Sequence, residues 1–145
     1  MSVIYVNIGS NLGDKRALIQ SALDKIGKIF GNYRKSGFVE SEPWGYVSTN
    51  RFLNIGVAFE SDLNPEEILD QLQEIEKNIS SVSHRDSEGN YSDREIDIDI
   101  MAIDEDVYKS ERLCVPHPHL LKREFFINPL KELAPNWKYP GEMKI

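Results

Sequence analysis

Residues 92–101 read SDREIDIDIM, in which acidic residues alternate with isoleucines. Successive side chains of a β-strand point to opposite faces of a sheet, so the isoleucines share a face that suits a hydrophobic core. The other face has the carboxylates of Glu95, Asp97 and Asp99. Aspartate disfavours strands and has to be solvated, paired or metal-bound to lie on one. The pattern predicts a strand whose outer face attracts a cation.

Asp97 and Asp99 form a candidate metal site. Mg²⁺ prefers oxygen ligands, and one or two carboxylates completed by water and substrate phosphates are its usual protein site. A solvated sheet face, or acids that prevent edge-to-edge pairing of sheets, would give the same alternation. Basic residues that could bind phosphate favour metal-assisted phosphoryl transfer. They flank the acidic strand on both sides: Arg85, Arg94, Arg112, Lys122 and Arg123.

The composition is that of an ordinary globular protein. A chain of 145 residues, 40% hydrophobic and 28% charged, predicts a single domain over residues 1–145. The net charge of -7 argues against binding to nucleic acid or an anionic membrane through a bulk basic field. The single cysteine, Cys114, fits a reducing compartment, and the N-terminal apolar run is too short for a membrane span. We therefore expect a cytoplasmic protein.

The apolar periodicity predicts the element order β, α, β, β, α, β over the first hundred residues. The predicted strands cover residues 3–8, 33–40, 52–60 and 95–101, and the predicted helices cover residues 14–30 and 65–79. This order is typical of a ferredoxin-like α+β sandwich, a mostly antiparallel sheet with helices packed on one face. The acids of the last strand would then face away from the helices.

The remaining segments are expected to be loops and short elements. Residues 41–51 and 80–93 show neither the helical nor the strand spacing of apolar residues. We therefore expect them to be loops, and we expect the second loop to be exposed and mobile. After the acidic strand we expect a turn at 104–106 that leads into residues 107–114. A break at 115–119 would precede two short helices, near residues 120–124 and 129–133.

The chain resembles the 6-hydroxymethyl-7,8-dihydropterin pyrophosphokinase family of folate biosynthesis across nearly its whole length. The resemblance rests on the segments NIGSNLGD, EPWGYVSTNRFLN, DREIDIDIMAID and VPHPHLLKREFFINPLKELAP. It implies a ferredoxin-like fold and transfer of an intact pyrophosphoryl group from ATP to the pterin hydroxymethyl group, giving AMP. It also implies two Mg²⁺ ions held by Asp97 and Asp99.

The resemblance further implies which basic residues contact ATP. Arg94 matches an arginine just before the acidic pair, His117 a histidine of the Val-Pro-His segment, and Arg123 a later basic position. Family members commonly have a Gly-Arg-x-Arg-like run before the acidic strand, where this chain offers Arg85. We expect Arg85 and Arg94 to act with the two aspartates in catalysis, within loops that close over ATP and exclude water.

A reduced pterin is a flat polar heterocycle, which aromatic faces and amide groups can bind. The resemblance places Trp44, Asn54 and Phe125 at the pterin pocket. Tyr91 and Phe52 offer further rings, although Phe52 is equally well explained as a core residue of its strand. An amide in a strand interior indicates a ligand or a local backbone partner for Asn54.

ATP and the reduced pterin are the expected substrates, and whether neighbouring folate-pathway enzymes associate with the chain is left open. A regulatory or small-molecule binding module is the alternative from another class, because ferredoxin-like folds also serve proteins without catalysis. Such a module would need no metal pair.

Overall fold

The computed structural model describes residues 1–42, 50–80 and 95–140. Its main sheet has four strands, β1 (Ser2–Ser10), β2 (Tyr33–Ser41), β3 (Phe52–Ser61) and β4 (Asp97–Ile103). All three strand pairs are antiparallel, and the order across the sheet is β2-β3-β1-β4. Two helices, α1 (Lys15–Phe30) and α2 (Pro65–Ile79), follow β1 and β3. The predicted α+β class and element order are confirmed.

Local signals start both helices where the sequence predicts them. The Asp14 side chain caps α1 by accepting a hydrogen bond of 3.2 Å from the Ala17 amide. Asn64 and Glu67 form a capping box at the start of α2, with Pro65 in the first turn. These caps satisfy amides that have no partner inside the helix.

The sheet packs against helices on both faces. On the first face α1 and α2 bury the main core, which includes Val6, Ile98 and Ile100. On the second face α3 (Glu124–Leu133) packs against β2 and β3. A smaller cluster there includes Tyr5 and Met101. The predicted placement of helices on one face therefore describes α1 and α2, and α3 covers part of the other.

Gly56 of β3 lets α3 approach the sheet. A Cβ atom at this position would lie 2.6 Å from the Cβ of Pro129, closer than two carbon atoms can pack. Pro129 itself lies inside α3, so the prediction that a helix starts near this residue was wrong. The proline ring packs on the backbone of β3, and this long-range contact is invisible to local helix rules.

The segment that follows the predicted turn at 104–106 folds back on itself. Tyr108–Lys109 (β5) and Cys114–Val115 (β6) form a two-stranded antiparallel hairpin. The Ser110 amide closes the turn with a hydrogen bond of 2.8 Å to the Leu113 carbonyl. A cis peptide bond joins Val115 to Pro116, and a single 3₁₀ turn (Leu120–Lys122) precedes α3.

The described ranges include no helix that is both long enough and apolar enough to cross a bilayer.

Replacing Gly56 with Ala is expected to lower the free energy of unfolding by about 1–3 kcal/mol, the usual cost of overpacking. The new methyl group would collide with Pro129 and push α3 off the sheet. Gly37→Ala is the matched control, since the nearest atom to its new Cβ would be a Glu132 carboxylate oxygen at 4.0 Å. Urea unfolding measures the free energy of unfolding of both variants. Equal stability of the two variants would contradict the close packing of α3.

Candidate active site

A strip of polar and small residues crosses the second face of the sheet, beside the part that α3 covers. Asn54 lies on β3, Asn7 and Gly9 lie on β1, and Asp97 and Asp99 lie on β4. The strand register pairs Gly9 with Asn54 on one side and with Asp97 on the other. It also pairs Asn7 with Asp99. The strip therefore joins the predicted metal ligands to the predicted pterin residue.

The acidic strand has the geometry that its alternation predicts. Ile96, Ile98 and Ile100 are buried in the main core, whereas Asp97 and Asp99 are half-buried on the opposite face. Strand geometry separates residues i and i+2 by about 7 Å. The strand begins at Asp97, so the third predicted acid, Glu95, lies before it.

Asn54 is held by protein partners. Its side-chain amide donates hydrogen bonds to the Val39 carbonyl at 3.2 Å and to the Ser41 hydroxyl at 2.8 Å. Its carbonyl oxygen accepts one from the side chain of Asn7 at 3.2 Å. The prediction of a ligand or a local backbone partner is met by Val39, and one lone pair of the Asn54 oxygen is still available.

Phe52 lies on the same face as this strip. Its ring is half-buried, and a Cβ atom on Gly9 would lie 3.3 Å from its Cδ1 atom and 2.9 Å from the Asn54 side-chain oxygen. Gly9 therefore leaves room for both side chains at one spot. The two hydrophobic clusters of the described chain do not include Phe52, which favours the ligand interpretation over a core residue.

His117, Arg123 and Phe125 come together around Phe126. The His117 ring meets the Phe126 ring edge-on with centroids 4.9 Å apart, and Phe125 meets Phe126 at 5.0 Å. The Arg123 guanidinium carbon lies 4.9 Å from the centroid of Phe126 and 5.7 Å from that of Phe125. The predicted phosphate residues and a predicted pterin ring thus adjoin each other at the start of α3.

His117 is neutral at physiological pH. Burial lowers the pKa of its imidazole to about 4, and the nearby charges of Arg123 and His119 act in the same direction against a smaller opposing effect of Asp97. Its Nδ1 atom accepts a hydrogen bond of 3.0 Å from the His119 amide. The ring proton therefore lies on Nε2, which can donate to an anionic ligand.

A cavity of about 490 Å³ opens beside the outer edge of β4, a size that suits a small-molecule ligand. It lies between α2 and the segment that contains β5 and β6. Asp97, Asp99 and His117 line it together with Arg112, one of the basic residues expected near the acidic strand. Other lining residues were not predicted, among them Leu69, Gln73, Glu76, Leu113 and Cys114.

Glu76 supports β4, the strand that contains Asp97 and Asp99. Its buried carboxylate accepts a hydrogen bond of 2.6 Å from the Ile98 amide, midway between Asp97 and Asp99. This contact satisfies an amide on the free edge of β4. Sequence reasoning missed Glu76, although an acid spaced with Leu69 and Leu72 along the apolar stripe of α2 was a signal.

Arg112 lies at the mouth of the cavity and bridges to α2. Its guanidinium lies 2.6 Å from Asp70 and 3.2 Å from Glu66. Hydrogen bonds from Ser110 and then Tyr108 lower the pKa of the Glu66 carboxyl. These partners hold Arg112 against α2 and use part of its five N–H donors.

Four predicted site residues lie outside the described residues: Trp44, Arg85, Tyr91 and Arg94. Most of the two loops that were predicted to close, residues 41–50 and 80–93, lies outside them as well. Their roles stay predictions.

Stability should fall as the pH drops from about 6.5 towards 4, because His117 takes up a proton in the unfolded chain before it does so in the folded one. Urea unfolding of the chain and of His117→Asn at about pH 7 and about pH 5 measures this. We expect a smaller loss between these two pH values in the variant, whatever its absolute stability. An identical loss would show that His117 is not buried as a neutral group.

Comparison with known proteins agrees with this geometry. Residues 5–135 match the family model described as 7,8-dihydro-6-hydroxymethylpterin-pyrophosphokinase (HPPK). A 2-amino-4-hydroxy-6-hydroxymethyldihydropteridine pyrophosphokinase from Porphyromonas gingivalis is 40% identical over 144 residues, which cover 97% of this chain and 95% of the relative. The enzyme of the same name from Aquifex aeolicus is 35% identical over 97% of this chain and 85% of its own.

Among solved structures, an HPPK-DHPS crystal structure in complex with substrates matches with a TM-score of 0.70 at 14% identity. The match covers 95% of this chain and 41% of that longer one, and it supports the fold alone. The family model and the relatives cover nearly the whole chain. The chain therefore belongs to the 7,8-dihydro-6-hydroxymethylpterin-pyrophosphokinase family.

Proposed function

We propose that this chain transfers the pyrophosphoryl group of ATP to 6-hydroxymethyl-7,8-dihydropterin in folate biosynthesis, giving AMP and the pterin diphosphate. Family membership supports the reaction. The structural observation that supports it most is the pair of carboxylates, Asp97 and Asp99, on the wall of a 490 Å³ cavity that also contains the neutral donor His117.

The residues present fit a divalent cation. Within the described ranges no three His, Cys, Asp or Glu side chains are grouped closely enough to hold a metal by themselves. A carboxylate pair completed by water and substrate phosphates is the arrangement that Mg²⁺ favours. We assign Asp97 and Asp99 to two Mg²⁺ ions. When bound, the ions would neutralise phosphate charge and polarise the pterin hydroxyl.

The protein's own groups would bind and orient the triphosphate. His117 is neutral, so its Nε2 proton can donate to a phosphate oxygen without a charged partner. Arg123 is held against two aromatic rings, which limits the motion of its side chain, and its planar guanidinium matches the geometry of a phosphate. Arg85 and Arg94 are proposed to stabilise the charge that develops on the leaving AMP.

The pterin would lie next to the acceptor of Asn54, against the rings of Phe52 and Phe125, with Trp44 and Tyr91 as further aromatic partners. In the reaction the hydroxymethyl oxygen forms a bond to the β-phosphorus and releases its proton to solvent. The bond from that phosphorus to the oxygen shared with the α-phosphate breaks, and AMP leaves with that oxygen. The arrangement requires no covalent enzyme intermediate.

The nucleotide product tests the reaction class. The chain is incubated with ATP, Mg²⁺ and the reduced pterin, and nucleotides are separated by chromatography. We expect AMP in a one-to-one ratio with the pterin diphosphate. ADP would indicate transfer of a single phosphoryl group, and the absence of any turnover would favour a binding module; either result would contradict the proposal.

Asp97→Ala and Asp99→Ala are each expected to reduce AMP formation by about a hundredfold or more. Removing a metal ligand should lower activity more than changing a residue that only hydrogen-bonds to a ligand. The melting temperature should change little, because both side chains lie on the face away from the main core. Asp106→Ala, in an exposed turn, is the matched control and should retain full activity. Near-normal turnover in either site variant would contradict the metal assignment.

A further inference from the structure

We propose that Asn7 is a positioning residue for pterin binding. It fixes the Asn54 side chain so that a carbonyl oxygen, and not an amide donor, is presented to the ligand. This inference rests on the proposed function and assigns a role to a residue outside the predicted site.

Asn7 occupies a place where an amide is unexpected. It lies in β1, an interior strand of the main sheet, and is only 3% exposed. Its neighbours in register are Gly56 on β3 and Asp99 on β4. A strand interior disfavours asparagine, and a buried amide is costly unless its polar atoms find partners. A specific interaction must therefore account for Asn7.

The Val39 carbonyl determines which atom is nitrogen and which is oxygen in the side-chain amides of Asn54 and Asn7. A backbone carbonyl can only accept, so the atom of Asn54 that faces it at 3.2 Å must be the nitrogen. The second hydrogen of that nitrogen goes to Ser41. The Asn54 oxygen then faces Asn7 at 3.2 Å, so Asn7 must donate through its own nitrogen. The alternative orientation of Asn54 would place two oxygens against each other.

The same arrangement leaves Asn7 incompletely satisfied. Its side-chain oxygen is buried and has no hydrogen-bond partner within the described part of the chain. An apolar side chain of similar size would avoid this cost. Stability therefore does not explain the amide, whereas the hydrogen bond that it gives to Asn54 does.

The result is an acceptor of defined direction at the site. One lone pair of the Asn54 oxygen is occupied by Asn7, and the other is available to an N–H group of a heterocycle. Gly9 leaves the adjacent position free of a side chain, and the Phe52 ring lies against it. Since Asn54 is 1% exposed, a neighbouring side chain has to move before a ligand reaches the oxygen. A flat molecule with an N–H edge, such as a pterin, fits these requirements.

Asn7→Leu tests the inference because leucine has a similar size and no donor. Isothermal titration with the reduced pterin, and separately with Mg²⁺ and a non-hydrolysable ATP analogue, measures each affinity. We expect the pterin Kd to rise about tenfold, equivalent to about 1.4 kcal/mol. The Kd of the ATP analogue should stay within about twofold, and the KM for the pterin should rise more than kcat falls.

Ser36→Ala is the matched control, since it also removes a buried side-chain hydrogen bond from the sheet. Ser36 is 6% exposed and accepts a hydrogen bond of 2.8 Å from the Gly56 amide. This variant should lower the melting temperature and leave the pterin Kd unchanged. Asn7→Ala removes the same donor with a smaller side chain, and it provides the measurement if Asn7→Leu does not fold.

An unchanged pterin Kd in the Asn7 variants would overturn the inference. Equal losses of pterin and nucleotide affinity would overturn it too, since they would mean that Asn7 only supports the sheet. A wild-type chain that neither binds the pterin nor forms AMP would overturn the proposed function, and this inference with it. We expect the Asn7 variants to lose affinity for the pterin selectively, and we expect the wild-type chain to form AMP.

Discussion

The register between β1 and β4 is the constraint on which the rest of the site depends. It sets Asn7 opposite Asp99 and Gly9 opposite Asp97, while the isoleucines between the acids enter the main core. A shift of one residue would turn every side chain of β4 to the other face. Two carboxylates would then lie among aliphatic side chains, where an unpaired charge is far too costly to persist. The register that buries the isoleucines in the core therefore also places the acids on the opposite face.

The first face of the sheet contributes mainly to stability, and the second face carries the candidate site. The first face is filled by α1 and α2, which bury the main core against it. The second face is shared, because α3 covers the half over β2 and β3 and leaves the polar strip beside it. The start of α3 also holds Arg123 and Phe125 against Phe126, next to His117. A helix that closes the fold therefore also delivers residues proposed to bind phosphate and pterin.

Local sequence patterns predicted the elements whose cause is local. The alternation of β4, the caps at Asp14 and Asn64, and the stripe of α2 depend on neighbours a few residues away, and the structure agrees with them. The course of α3 was not predicted, because Pro129 is accepted only through its contact with Gly56, more than seventy residues earlier. Glu76 and Asn7 were missed for the same reason. Their partners, the Ile98 amide and the Asn54 carbonyl, are set by tertiary packing.

The paired acids on the outer face of β4 are proposed to hold the cations of the reaction. Crystals grown with Mn²⁺ and a non-hydrolysable ATP analogue test it directly, because manganese replaces magnesium at oxygen ligands and scatters anomalously. We predict two anomalous peaks between the triphosphate and the carboxylates of Asp97 and Asp99, both lost in the Asp97→Ala, Asp99→Ala double variant. Peaks bound to the triphosphate alone, with neither aspartate as a ligand, would contradict the assignment of Asp97 and Asp99 as metal ligands.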